Sequence, residues 1–400
     1  MAGITLTERP QTAGGIACES DAIETVPLTE ERSFAYWQQD IPEAYWALSA
    51  DELRERIGAA RRALGERLIV LGHHYQREDI IEFADYIGDS FKLARWAAEH
   101  PRSEYIVFCG VHFMAEAADI LSGPGQTVML PNMAAGCSMS DMADPDDVYA
   151  CWAELEELGI AQETVPVTYM NSAAALKAFV GEHGGAVCTS SNASKVLAWA
   201  FSQKKRALFF PDQHLGRNTG AAMGIPLERM VLWGWARPYG SMGGQTVEAL
   251  RESRIILWAG HCSVHQRFTP QQVAEARARH PGITVIVHPE CRLETVQASD
   301  LNGSTEFIAR TIAQAPSGAK FAVGTEINLV SRLAKENPDK LVFCLDPVVC
   351  PCSTMYRVHP AYLAWTLESL VAGRVVNRIA VAEDVVRGAK LALERMLAIG

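Results

Sequence analysis

The sequence has no Cys-x-x-Cys pair, no block of Lys or Arg residues, and no apolar run of the roughly 18 residues that cross a bilayer. Without a long apolar run or a secretory signal at the N-terminus, we expect a cytoplasmic protein with no membrane partner. Without a basic block to offset the formal net charge of −11, a nucleic-acid partner is not expected. An anionic small molecule would need local hydrogen-bond donors.

Ten cysteines are nevertheless present. In a reducing compartment they are poor candidates for a disulfide framework, so those that are not simply buried are candidates for metal binding or catalysis. Burial in strands is the interpretation for Cys109, Cys188 and Cys344, which lie inside apolar runs.

The first 45 or so residues have no periodicity, and after them short apolar runs alternate with amphipathic helical stretches. This alternation is typical of parallel sheets covered by helices. Nine runs form three sets, each read as one βαβαβ unit: 68–72, 105–109 and 127–130; 165–169, 186–189 and 207–210; 284–287, 321–323 and 341–345.

Each set is followed by a loop that contains a cysteine: Cys137 in "NMAAGCSMS", Cys262 in "WAGHCSVH" and Cys352 in "CPCSTMYR". The three are 125 and 90 residues apart, and an insertion at about 222–246, before the run 255–258, explains the longer spacing. Functional groups in parallel α/β units gather at the carboxyl ends of the strands. The repeat therefore predicts one central site shared by three units.

The first strand of each set ends in two polar residues that are two positions apart, and alternation along a strand points such residues the same way. These are His73 and Tyr75, Tyr169 and Asn171, and His288 and Glu290. Recurrence in all three sets favours a functional role over a local hydrogen-bonding detail.

Small polar side chains also stand where helices are expected to begin: Asp89 and Ser90, Thr189 and Ser190, and Ser304 and Thr305. They are interpreted either as helix caps or, with the free backbone N–H groups, as binders of phosphate or carboxylate. Both interpretations can hold for one residue.

Together these motifs resemble the quinolinate synthase family from about residue 67 to the C-terminus. The resemblance is carried by "GHHYQREDIIEFADYIGDSFKLA", "VTYMNSAAALKAF", "FFPDQHLGRN", "GHCSVHQRF", "VHPECRLETVQASDLNGSTEFI", "VGTEINLVSRL" and "CSTMYRV". It implies three pseudo-threefold-related α/β/α domains, each with a short parallel sheet, around a central iron–sulfur site. The expected division is an extension (1–45), three domains (46–141, 142–265 and 266–355) and C-terminal helices that brace the core (356–400).

The resemblance also implies the activity. Family members condense iminoaspartate with dihydroxyacetone phosphate, losing phosphate and two waters, to make quinolinate for NAD biosynthesis. It implies one [4Fe–4S] cluster per chain, held by Cys137, Cys262 and Cys352 with one iron left open. It implies as well that an aspartate oxidase or dehydrogenase supplies the unstable iminoaspartate.

Further residues match the family's site. Those matching its active-site residues are His73, Tyr75, Tyr169, Asn171, His265, His288 and Glu290; those matching its phosphate and carboxylate binders are Ser90, Ser190, Ser304 and Thr305. Our hypothesis makes Glu290 the principal base, Tyr75 and His265 proton shuttles, and Tyr169 with Asn171 the groups that orient substrate.

Two alternatives stay open at this point. One is an iron–sulfur hydro-lyase acting on another dicarboxylate, and the other is a non-catalytic scaffold whose three cysteines and a histidine hold zinc. Two neighbouring thiols also stay open: Cys291 is a rival ligand beside Glu290, and Cys350 is a spare thiol. His74, which lies between His73 and Tyr75, is expected to point to the other side of its strand and to pack there.

Overall fold

The structure is a computed structural model that describes residues 38–348 and 351–399. It contains three sheets in which parallel pairing dominates, and helices pack on them. This arrangement confirms the predicted class of three α/β units.

The elements follow one another in chain order. The first unit contains α1 (Ala50–Leu64), β1 (Leu68–His73), α2 (Glu78–Ile81), β2 (Tyr86–Gly88), α3 (Ser90–Glu99), β3 (Tyr105–Cys109), α4 (His112–Leu121), β4 (Thr127–Met129) and α5 (Ser138–Asp141). The second contains α6 (Pro145–Glu157), β5 (Thr164–Tyr169), α7 (Ala174–Glu182), β6 (Ala186–Cys188), α8 (Ala193–Gln203), β7 (Arg206–Phe210), α9 (Gln213–Ala222), β8 (Met230–Trp233), α10 (Val247–Glu252) and β9 (Ile255–Trp258).

The third unit contains α11 (Pro270–Arg279), β10 (Thr284–Val287), α12 (Leu293–Ala298), β11 (Leu301–Asn302), α13 (Thr305–Gln314), β12 (Lys320–Gly324), α14 (Ile327–Glu336) and β13 (Leu341–Cys344). The chain continues with α15 (Pro360–Val371), β14 (Arg378–Ile379) and α16 (Glu383–Ile399).

All three sheets share one strand order. It is β2-β1-β3-β4 in the first, β6-β5-β7-β9 in the second and β11-β10-β12-β13 in the third. The central strands are buried on both faces, which is why they read as continuous apolar runs. Fully burying each large aliphatic side chain contributes about 1.5–3 kcal/mol.

The shared order corrects the predicted grouping of strands. The run 186–189 is the short second strand β6, and its counterparts β2 and β11 were missed because they are only three and two residues long and largely unburied. The strand of the second sheet that is equivalent to β4 and β13 is therefore β9, which directly precedes the Cys262 loop.

The segment predicted as an insertion, about 222–246, is partly an additional edge strand. Its β8 pairs in parallel with β9, with Met230 opposite Ile255. The rest is tied to α6, because the backbone N–H of Met242 donates to Glu154 at 2.7 Å and the Tyr239 hydroxyl donates to Glu157 at 2.7 Å. These contacts give the segment a structural role at the edge of the second sheet.

The C-terminal elements contact the first two units. Helix α15 packs on α1, where the Arg56 guanidinium makes two hydrogen bonds to Glu368 at 2.7 and 2.6 Å. Strand β14 pairs antiparallel with β4. Helix α16 packs on α7 so closely that a Cβ at Gly181 would collide with the carbonyl oxygen of Gly388. Glycine is required at that crossing.

Within the described residues, no helix is both long enough and apolar enough to span a membrane.

Candidate active site

Two strand ends present the same local geometry at the carboxyl edges of the first and third sheets. After β1, Nδ1 of His73 accepts the backbone N–H of Tyr75 at 3.1 Å. After β10, Nδ1 of His288 accepts the backbone N–H of Glu290 at 3.4 Å. Each buried imidazole therefore fixes the backbone of the residue two positions further on.

The three cysteine loops also share one geometry. The carbonyl of Cys137 accepts the N–H of Asp141 at 2.9 Å, that of Cys262 accepts Gln266 at 3.1 Å, and that of Cys352 accepts Tyr356 at 3.0 Å. Each cysteine thus opens a single helical turn directly after the fourth strand of the shared order. The threefold repeat seen in the sequence is present in the backbone hydrogen bonding.

The three thiols are free and lie within electrostatic reach of one another. Burial raises the pKa of Cys137, Cys262 and Cys352 above the ordinary thiol value. The charge of Cys352 raises the pKa of both other thiols further, and so does that of Glu290. A cationic group bound among them would reverse this preference and favour thiolates.

His265 lies at the centre of the site. Its Nδ1 is 2.6 Å from Oε2 of Glu290, a close charge contact that lacks hydrogen-bond alignment. Its Nε2 is 3.1 Å from the Thr325 hydroxyl and 3.5 Å from the Tyr75 hydroxyl. The imidazole of His288 stacks on it at 4.5 Å between ring centroids. A buried imidazole is therefore held between a carboxylate and two hydroxyls.

The surroundings move the pKa values of the titrating groups of the site away from one another. Burial alone raises the pKa of Glu290, but the charges of His288 and His265 and the hydrogen bond from Tyr169 outweigh it and lower that pKa to about 2. Burial lowers the pKa of His288 to about 3. Burial and the charge of Glu290 raise the pKa of Tyr75 and Tyr169 well above the usual range. An ionised carboxylate thus lies among neutral phenols, a division typical of acid–base sites.

One group of side chains has the composition of a metal site. The Cys262 sulfur, a His265 ring nitrogen and a Glu290 carboxylate oxygen all lie within 4.8 Å of one another. Sulfur, nitrogen and oxygen donors together suit iron or zinc.

The four hydroxyl residues predicted to bind anions differ in their local roles. Ser304 caps α13 by accepting the N–H of Phe307 at 3.3 Å, whereas Asp89, rather than Ser90, caps α3. Ser190 and Ser304 line a cavity of about 540 Å³ that also includes Lys92. That cavity is bordered by residues of all three units, whereas Ser90 and Thr305 are buried at the first turns of α3 and α13.

The positions of three other residues from the sequence analysis can be compared with this centre. Tyr169, at the end of β5, hydrogen-bonds Glu290, and Asn171 is half-buried two residues beyond. Cys291 is fully buried and its thiol donates to the Gly324 carbonyl at 3.7 Å, as expected for a packed cysteine. Cys350, the spare thiol of the sequence analysis, lies outside the described residues.

Cys109, Cys188 and Cys344 lie in β3, β6 and β13, and His74 directly follows β1. Cys109 and Cys188 are fully buried, as predicted, whereas Cys344 is only partly buried. His74 is turned toward Arg332, whose guanidinium lies 3.1 Å from its Nδ1.

Sequence reasoning missed two residues that organise the site. Thr325 contacts both Tyr75, at 2.9 Å, and His265, at 3.1 Å. The buried Glu326 carboxylate accepts the backbone N–H of Cys352 at 3.2 Å, and burial raises its pKa to about 7. Both lie in "VGTEINL", a motif that carried the resemblance but had no chemistry assigned to it.

These features define an α/β enzyme with an acid–base centre and a candidate metal site built from loops of three similar units. The quinolinate synthetase A protein family model matches residues 55–398. A quinolinate synthase of Corynebacterium glutamicum is 58% identical over 362 residues, 90% of this chain and 91% of the relative. A quinolinate synthase of Nocardioides is 56% identical over 379 residues, covering 93% and 94%. One of Herpetosiphon aurantiacus is 52% identical over 381 residues, covering 94% and 98%.

The chain belongs to the quinolinate synthase family, an enzyme family of NAD biosynthesis.

Proposed function

We propose that this chain makes quinolinate in the cytoplasm from iminoaspartate and dihydroxyacetone phosphate, with loss of phosphate and two waters. The observation that carries the proposal is the meeting of the Glu290–His265 pair with Cys262, whose loop is one of three equivalent cysteine loops. The reaction removes and delivers several protons, which requires groups with separated pKa values in one buried place.

Cys137, Cys262 and Cys352 would hold the [4Fe–4S] cluster implied by the family resemblance. The donor set fits, because three free thiols come from three loops of the same geometry and lie within electrostatic reach of one another. With three protein ligands, such a cluster keeps one iron open and supplies a Lewis acid for a substrate oxygen, nitrogen or carboxylate.

Glu290 is the principal base in this scheme, because its carboxylate is ionised and lies against the His265 imidazole. His265 passes the proton between Glu290 and the hydroxyls of Thr325 and Tyr75, which lie on its other side. Tyr75 keeps its proton at neutral pH, because burial raises its pKa, and acts as a hydrogen-bond donor. His73 and His288, both with lowered pKa values, contribute neutral imidazoles to the same catalytic group.

Substrate anions would be bound beside this centre. Tyr169 and Asn171 orient the substrate, and helix starts with free N–H groups suit phosphate and carboxylate. Ser90, Ser304 and Thr305 lie at the starts of α3 and α13, and Ser190 lies three residues before α8. The cavity that Ser190 and Ser304 line also includes Arg310 and Lys92, the latter paired with Glu306 at 3.0 Å. Because iminoaspartate is unstable, an aspartate oxidase or dehydrogenase would supply it nearby.

The activity is tested by anaerobic incubation of the iron-loaded protein with iminoaspartate generated in place and dihydroxyacetone phosphate. Quinolinate is the expected product, identified by mass. Absence of quinolinate from protein with intact iron and acid-labile sulfide would reject the proposal. Dihydroxyacetone phosphate that fails to compete with a substrate analogue would favour a hydro-lyase.

The cofactor is tested separately by metal analysis of cysteine variants. Cys137→Ser, Cys262→Ser and Cys352→Ser are each expected to lose iron and sulfide, because each removes one of three ligands. Cys291→Ser is the matched control, since that thiol is buried and directed at a backbone carbonyl. Colourless wild-type protein with one zinc per chain and no sulfide would contradict the cluster.

A further inference from the structure

Helix α9 belongs to the second unit, yet side chains on it contact both loops that carry the Glu290–His265 pair. His214 and Asn218 are four residues apart and therefore share one face of this helix. Both are buried, and no chemical step of the proposed function uses either of them.

Asn218 holds the backbone on both sides of Glu290. Its Nδ2 donates to the Pro289 carbonyl at 2.8 Å and to the Cys291 carbonyl at 2.7 Å. The amide orientation follows from this arrangement, because an oxygen in place of Nδ2 would face two carbonyl oxygens. One side chain therefore fixes the three-residue segment that directs the carboxylate.

His214 plays the corresponding part for His265. The Gln266 amide donates to Nε2 of His214 at 3.3 Å, and Gln266 directly follows His265. The oxygen of the same amide accepts from Arg292 at 3.4 Å, two residues beyond Glu290. The two loops are thus tied to one helix and to each other.

The helix itself is firmly seated. Asp212 caps its start by accepting the N–H of Leu215 at 2.7 Å. At Gly216 a Cβ would lie 2.5 Å from Leu257 and 2.7 Å from Phe209, so the helix rests directly on β7 and β9. A rigid support of this kind is what precise placement of reacting groups requires.

We propose that α9 is the positioning helix of the proton-transfer pair, with Asn218 as the positioning residue of Glu290 and His214 as that of His265. The proposal rests on the proposed function for its catalytic consequence. The structural part, that Asn218 immobilises residues 289–291, stands independently of it.

The test replaces Asn218 with leucine, which keeps the branched shape of the side chain but has no donor. We expect kcat for quinolinate formation to fall about 100-fold. Asn218 also lines the cavity beside Ser304, but if it acts through Glu290, KM for dihydroxyacetone phosphate should stay within about threefold and iron content should be unchanged. Hydrogen exchange measured by mass spectrometry should become faster in the peptide that spans residues 286–296.

Asn337→Leu is the matched control. Asn337 is 7% exposed, as is Asn218, and its Nδ2 also donates to a backbone carbonyl, that of Leu333 at 2.9 Å. It should lose similar stability while keeping wild-type kcat and wild-type exchange at 286–296. This variant separates positioning from a general loss of stability.

Two results would overturn the positioning role: unchanged exchange at 286–296 in Asn218→Leu, or a raised KM with wild-type kcat, which would make Asn218 a substrate contact. Failure of the wild-type protein to make quinolinate would reject the proposed function instead. The exchange measurement would still decide whether Asn218 holds the Glu290 segment.

Discussion

The strand ends at His73–Tyr75 and His288–Glu290 share one backbone hydrogen bond but differ in the charge of the side chain that follows it. In both, the imidazole Nδ1 accepts the N–H two residues on. Tyr75 then presents a neutral hydroxyl to one side of His265, and Glu290 presents an ionised carboxylate to the other. A repeated unit can thus supply unlike chemical groups to one imidazole by changing a single side chain.

The largest expected effect comes from removing the charge on the third-unit side. Glu290→Gln keeps the shape of the side chain but removes the base, so turnover should fall by about 10³-fold or more, within the range of general base catalysis. Quinolinate formation measures the effect, and iron and sulfide content is the control. Substantial remaining activity with an intact cofactor would mean that the base lies elsewhere.

A smaller effect is expected on the first-unit side. Tyr75→Phe removes a neutral hydroxyl shared with Thr325, and turnover should fall about 100-fold. Tyr149→Phe, on an exposed tyrosine outside the site, is the control and should retain full activity. If turnover falls as far in Tyr75→Phe as in Glu290→Gln, the two strand ends contribute equally to the reaction and the expected difference between them is wrong.

The two histidines should, in contrast, behave alike toward acid. Burial lowers the pKa of both, that of His288 to about 3, from an unfolded value of 6.5. Between pH 6.5 and the folded pKa the unfolded state binds more protons, so the stability is complete above pH 6.5 and is lost as the pH falls.

The size of this effect is about 1.4 kcal/mol per pH unit for each histidine. This pH dependence is measured by urea unfolding of the metal-free protein at pH 6.5, 5.5 and 4.5. These values span about two units below the ordinary pKa of histidine. His73→Asn and His288→Asn should each flatten the dependence by one proton. A flattening in only one variant would show that the two imidazoles do not share one environment.

The smallest effect is expected at the middle position of the first-unit strand end. His74 contacts Arg332 rather than the centre, so His74→Asn should change turnover by no more than about twofold while lowering stability by about 1 kcal/mol. Steady-state turnover and thermal unfolding measure the two quantities. A tenfold loss of turnover with unchanged stability would place His74 in the reaction.

Much of this arrangement is readable from the sequence, because period-two polar pairs and apolar runs are local signals. His73, Tyr75, His288 and Glu290 were all predicted from their place at strand ends. Strands β2 and β11 were not, since two or three residues without an apolar run carry no periodicity.

The contacts between distant segments could not be read in this way. Thr325 meets Tyr75 across 250 positions of the chain, and Asn218 meets Pro289 across 71. Nothing in the spacing of "VGTEINL" or "PDQHLGRN" indicates which side chain meets which. Only packing of the three units determines these partners.

The contacts of the last two elements also bear on how the protein is made. Strand β14 and helix α16, residues 378–399, complete the edge of the first sheet and cover α7 of the second. A ribosome adding about 5–20 residues per second releases these elements after all three units. The first two units therefore receive these contacts only after the third unit has been made, so removing α16 should impair folding of the newly made chain more than it impairs the active-site chemistry.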